Sequence, residues 1–147
     1  MELRPYQLAA FHSAASSLVY SKNPTLQLAT GTGKSLIIAE LANDVRKQGS
    51  TVWILTHSQQ LVKQNAATYE RHTGQPAGIV CHGLGRADYN SAVTFATIQS
   101  IVTPALNGSI REPGLIIIDE AHRVSHKTGE VGQYERIFSH YPAARRV

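Results

Sequence analysis

Hydrophobic and polar positions along this chain switch repeatedly between a helical and a strand-like period. Leu8, Phe11, Ala15 and Leu18 recur at helical spacing behind Pro5, which suits a first helical turn, and Lys22-Asn23-Pro24 ends the run. "TLQLA" (25–29) reads as a short strand. A helix is predicted from about Lys34 to Lys47, with Ile37, Ile38, Leu41 and Val45 on one face and Gly49 as its stop. "TVWIL" (51–55) is a strand. A helix from about Ser58 to His72 follows, with Leu61, Ala66 and Tyr69 inward and Gly74 closing it. "AGIVC" (77–81) and "AVTFA" (92–96) are strand candidates on either side of a polar, glycine-bearing loop, 82–91. "TIQSIVTPAL" (97–106) is a short helix that Pro104 interrupts or ends, and Asn107-Gly108 is a turn. "LIIID" (115–119) is the last strand, and a helix over Gln133–His140 closes the pattern.

The strands are continuously apolar rather than alternating, and helices separate them. That combination predicts an α/β chain with a mainly parallel sheet flanked by helices on both faces. Such sheets place ligands at the carboxyl ends of their strands. Asp119 and Glu120, which close the apolar run of "LIIIDEAH" (115–122), therefore sit where a ligand would.

Composition narrows the picture. The 147 residues fit one domain, and a hydrophobic content of 42% supplies a core. Charged residues, at 16%, are too few for a disordered chain, and the net charge of +4 leans toward anionic partners. A single cysteine, Cys81, excludes an intramolecular disulfide and fits a cytoplasmic location. No apolar stretch reaches the ~18 residues of a membrane span, and the N-terminus has no apolar signal-peptide core.

"LATGTGKS" (28–35) lies between a strand and its helix. Gly31 and Gly33 allow close backbone approach to phosphate oxygens. Lys34 supplies a cation for the β and γ phosphates, Ser35 offers a hydroxyl to Mg²⁺, and the helix N-terminus adds its positive end. The strict phosphate-loop pattern has glycine where Leu28 stands. A dinucleotide-binding reading fails, because position 36 is leucine rather than a small residue. Phosphoryl transfer to water needs a metal holder and a group that orients the water, and adjacent Asp119 and Glu120 supply both. Cys81 reads as a small core residue, and Trp53 as core rather than a base-stacking platform. Gln7 alone could be a polar residue on an amphipathic helix. His122, His126, Cys81 and His82 do not make a zinc set, and Arg145-Arg146 reads as a solvated chain end.

With these motifs in place, the chain resembles the superfamily 2 DEAD/DEAH-box helicases and translocases, over nearly its whole length. "LIIIDEAH" resembles their DEAH box and "ATGTGKS" their first, Walker A motif; "LRPYQ" (3–7) resembles the segment that reads adenine, "ILTHSQQLVKQ" (54–64) motif Ia, and "TFATIQSI" (94–101) a later motif on the nucleic-acid backbone. Within the superfamily it looks most like DNA repair, phage and restriction-type members. The resemblance implies the N-terminal RecA-like lobe, a three-layer P-loop NTPase fold, with ATP and Mg²⁺ as cofactors and nucleic acid, DNA rather than RNA, as track. It assigns Gln7 to adenine, and Thr30, Gly31, Thr32, Gly33, Lys34 and Ser35 to the phosphates. Ser35 and Asp119 hold Mg²⁺, Glu120 activates water, and His122 couples the site to a second lobe. Thr56, His57, Ser58, Thr97 and Gln99 line the track.

In this family a further strand ends in a Ser/Thr-Ala-Thr motif and lies between the loop strand and the DEAH strand. The chain stops at "AARRV", so the lobe is expected to be incomplete at its C-terminus. A second RecA-like lobe would bring arginine fingers worth roughly 10³ to 10⁵ in rate. Without it the chain alone is expected to show little activity. Two other readings are an ATP-dependent switch module that never translocates and an RNA helicase lobe.

Overall fold

The computed structural model describes residues 3–6, 8, 9, 34–119, 137, 145 and 146, the last two as backbone. Three helices and six strands are defined among them. Helix α1 spans Lys34–Lys47, strand β1 Val52–Thr56, helix α2 Gln59–Thr73 and strand β2 Gly78–Cys81. A 3₁₀ turn at His82–Leu84 leads into β3, Arg86–Ala87; then come β4, Val93–Thr97, helix α3, Ile98–Asn107, and the strands β5, Leu115–Ile118, and β6, Arg145–Arg146.

The strands form one sheet in the order β3-β2-β4-β1-β5-β6. The central strand β1 pairs in parallel with β4, from Val52↔Val93 to Thr56↔Thr97, and with β5, from Val52↔Leu115 to Leu55↔Ile118. β2 joins β4 in parallel, and only β3, folded back on β2, is antiparallel. Thr56, Cys81, Thr97 and Ile118 therefore end their strands along one edge of the sheet.

Side chains of β1 alternate between two apolar layers, which is why the strand reads as unbroken hydrophobicity. Val52 and Ile54 pack with Ile38, Leu41 and Val45 of α1 and with Val62, Ala66 and Tyr69 of α2. Trp53 and Leu55 face Ile98, Ile101 and Ala105 of α3, and Ile137. All five residues of β1 are buried. Tyr69 and Phe95 meet at 5.6 Å between ring centroids, tilted by 55°, a favourable aromatic geometry. Ile54 has no exposed surface, so Ile54→Ala is expected to destabilise the fold by about 2–5 kcal/mol in a denaturant titration.

Local signals explain the boundaries. Ser58 caps α2: its Oγ accepts from the Leu61 amide at 3.4 Å. Gly74 ends α2 at φ 69°, a left-handed conformation that residues with a Cβ adopt at a cost. Gly108 ends α3 in the same way, so the Asn-Gly turn is a helix cap. At the far end of α2, His72 Nε2 lies 2.6 Å from Glu40 Oε2 of α1 and ties the two helices.

Four expectations are corrected. Pro104 neither interrupts nor ends α3, which runs on to Asn107; Gly108 and Ser109 amides bond to the Pro104 carbonyl. The inward face of α2 is Val62, Asn65, Ala66 and Tyr69, while Leu61 is half-buried one position off that face. The loop 82–91 contains a 3₁₀ turn and β3. Arg145 and Arg146 are not a free end: their backbone pairs in parallel with Leu115 and Ile116 of β5. β6 thus flanks β5, on the side that the resemblance gives to the next strand. Trp53 and Cys81 are core, as read, with the Trp53 indole donating to the Arg111 carbonyl at 3.2 Å. The predicted strand 25–29 lies outside the described residues, as does the Gln133–His140 helix apart from Ile137, which is helical.

Candidate nucleotide site

Lys34 opens α1, and Asp119 follows the last residue of β5. The Asp119 amide donates to the Leu55 carbonyl at 2.9 Å, extending the ladder one residue past the strand and fixing where the carboxylate emerges. Lys34 Nζ lies 3.1 Å from Asp119 Oδ1. The carboxylate side chain is 3% exposed and the lysine 35%, so the ammonium has a side open to solvent while the acid does not. A buried carboxylate is costly without compensation, and Lys34 provides it.

A second path joins the same groups. Asn65 of α2, 2% exposed, donates from Nδ2 to Asp119 Oδ2 at 2.9 Å. Its Oδ1 accepts the Ser35 hydroxyl at 2.8 Å. The amide orientation follows from its partners: a carboxylate only accepts, so the NH₂ faces Asp119 and the carbonyl is left for Ser35. Among the described residues, Asp119 Oδ1 accepts no hydrogen bond and is met by the Lys34 charge. A carboxylate oxygen held by an ion pair alone and a nearby hydroxyl whose proton is already committed make a hard-oxygen donor pair. That is the chemistry a Mg²⁺ site requires. Gln7, Thr30, Gly31, Thr32, Gly33, Glu120 and His122 lie outside the described residues. Near Gln7, Pro5 and Tyr6 are helical and the Leu8 amide bonds to the Arg4 carbonyl at 2.9 Å.

The expected track residues gather at the carboxyl edge of the sheet. Thr56 and Thr97 are register partners on neighbouring strands. Both are buried, and their hydroxyls are engaged locally: Thr56 Oγ1 accepts from the Ser58 amide at 3.3 Å, and Thr97 Oγ1 donates to Ser100 Oγ at 2.8 Å. His57 and Ser58 are half-buried and Gln99 is exposed. The two threonines shape the turns, and the three more accessible residues form the surface.

Asn65 and Ser100 escaped sequence reading. Ser100 Oγ also accepts the His82 amide at 3.0 Å, joining α3 to the loop after β2. For Asn65 a signal existed: it is the polar member of the stripe Val62, Asn65, Ala66, Tyr69, at i, i+3, i+4 and i+7. A polar residue in an apolar stripe asks for a buried partner.

Comparison with known proteins adds to this geometry. Residues 1–147 match the family described as Type III restriction enzyme, res subunit. The chain is 30% identical over 153 residues to the putative ATP-dependent helicase IRC3 of Saccharomyces cerevisiae, covering 97% of this chain and 21% of that protein. It is 28% identical over 136 residues to the replication restart protein PriA of Chlamydia pneumoniae, covering 88% of this chain and 18% of that protein. Among solved structures, the ATP-dependent Type ISP restriction-modification enzyme LlaBIII bound to DNA superposes with a TM-score of 0.77 at 21% identity, over 99% of this chain and 12% of that one. The chain thus spans about a fifth of the length of these curated relatives. No helix among the described residues is long and apolar enough to cross a membrane.

Proposed function

Because the chain belongs to the family of the Type III restriction enzyme res subunit, we propose that it is the ATP-binding and ATP-hydrolysing lobe of a nucleic-acid-directed motor that acts on DNA. The observation that supports the reading is the 3.1 Å approach of Lys34 to Asp119, two residues that the sequence assigns to separate motifs. In this reading the loop Thr30–Gly33 and Lys34 bind the phosphates, and Gln7 reads the adenine. Ser35 and Asp119 would hold Mg²⁺, which when bound would neutralise charge on the phosphates. Glu120 orients a water and takes up its proton as the water oxygen bonds to the γ-phosphorus. The bond from that phosphorus to its bridging oxygen breaks, and ADP leaves.

His57, Ser58 and Gln99 meet the track's phosphates, and the turns built by Thr56 and Thr97 aim them. His122 would couple the site to a second RecA-like lobe, which would supply arginines to the same phosphates. The preference for DNA is supported by the DNA-bound LlaBIII and by PriA, a replication restart protein. The buried thiol of Cys81 fits the cytoplasmic location included in the reading.

The test is direct. The chain should bind a fluorescent ATP analogue saturably and release it to unlabelled ATP; no saturable binding sinks the nucleotide assignment. It should also bind a DNA oligonucleotide more tightly than RNA of the same sequence, with affinity falling as salt rises. Exchanging both His57 and Gln99 for alanine should weaken DNA binding by roughly 3–10-fold, as for the loss of two modest polar contacts. Tighter binding of RNA would move the track assignment to RNA.

A further inference from the structure

We propose that Asn65 is a positioning residue that sets the geometry of the two cation-facing groups, Ser35 and Asp119. The inference rests on the nucleotide reading above and extends it to a residue on a third element. Asn65 occupies a buried position of α2, at one edge of the stripe formed by Val62, Ala66 and Tyr69. An apolar side chain there would simply continue the stripe and cost nothing in desolvation. A buried amide is costly unless bonded. Asn65 directs both ends of its amide into the site, one bond to Ser35 and one to Asp119.

Each bond has a consequence for a divalent ion. The Ser35 hydroxyl proton points at Asn65 Oδ1, so the oxygen lone pairs are turned to the remaining directions. The Asn65 amide occupies Asp119 Oδ2, so Oδ1, ion-paired here with Lys34, is the oxygen that a cation or its bound water would share with that ammonium. Without Asn65, the Ser35 hydroxyl is released to rotate its proton toward a bound cation, and Asp119 Oδ2 loses its hydrogen bond while Oδ1 keeps the Lys34 charge. Partners that orient metal ligands in this way are typically worth about 10–100-fold in metal affinity.

The experiment uses the 147-residue chain and the fluorescent ATP analogue, titrated in Mg²⁺ and again in EDTA. The ratio of the two affinities measures the Mg²⁺ contribution. Asn65→Leu and Asn65→Ala should each lower that ratio by about 10-fold or more while the affinity in EDTA stays within about twofold. Ser35→Ala should lower it too. The double variant Ser35→Ala/Asn65→Ala should lose less than the product of the single losses, since Asn65 acts partly through Ser35. Thermal unfolding identifies which variants fold, and the alanine variant serves if the leucine variant does not. A folded Asn65 variant with an unchanged Mg²⁺ ratio overturns the proposal, as do fully multiplicative losses. Failure of the wild-type chain to bind the analogue at all would instead remove the nucleotide reading, and the role of Asn65 with it.

Discussion

Lys34→Ala is expected to cut affinity for an ATP analogue by on the order of 100-fold, through loss of charge-assisted bonds to two phosphates. The same change also acts on the folded protein. Asp119 is 3% exposed on its side chain and would keep the Asn65 amide alone as partner. Removing one side of a buried polar pair costs about 1–3 kcal/mol, and the low end applies, because the open side of Lys34 lets water reach part of the gap. Lys34→Ala should therefore bind nucleotide poorly and unfold at slightly lower denaturant. Lys34→Arg should restore most of the stability and less of the binding, since a planar fork does not occupy the position of a compact ammonium. Fluorescence titration and urea unfolding separate the two effects. Unchanged affinity in Lys34→Ala would reject the phosphate assignment outright.

Glu120→Gln should leave ATP bound and stall its hydrolysis. The amide keeps the size of the carboxyl but cannot accept a proton from water. Loss of a general base costs typically 10²–10⁴-fold, which sets the expected fall in turnover for the whole protein. KM for ATP should change little, since the role proposed for Glu120 is toward the water rather than the phosphates. Single-turnover kinetics read the chemical step directly, and near-normal turnover would take Glu120 out of the water-activating role.

What could be read from sequence divides along physical lines. Helix α1 was legible to the residue, because its apolar face and its stop at Gly49 are local features. So was the parallel sheet, since strands buried on both faces show as unbroken apolar runs. Both ends of the Lys34–Asp119 pair could be named in advance, because each closes a short motif with its own chemistry. Asn65 could not, because its meaning depends on where α2 packs against α1 and β5, and nothing adjacent to it in sequence encodes that. The inward face of α2 was misread for a related reason: Leu61 is the more hydrophobic-looking anchor, but the rotation of the helix is set by Val62 and Tyr69 meeting the sheet. Pro104 was misjudged because a proline removes one amide bond but does not forbid a helix whose apolar face, Ile101 and Ala105, is already held by the sheet.

The joining of α1 to α2 carries a mechanical consequence. The two helices run in the same direction and are riveted twice, by Ser35 to Asn65 at 2.8 Å and by Glu40 to His72 at 2.6 Å. Two ties at separate points along the helices oppose both sliding and swivelling of one against the other. Ser58 sits at the rim of this pair, seven residues or about 10 Å along the helix axis from Asn65. Displacing that rim would therefore be expected to shift Ser35 and, through Asn65, Asp119.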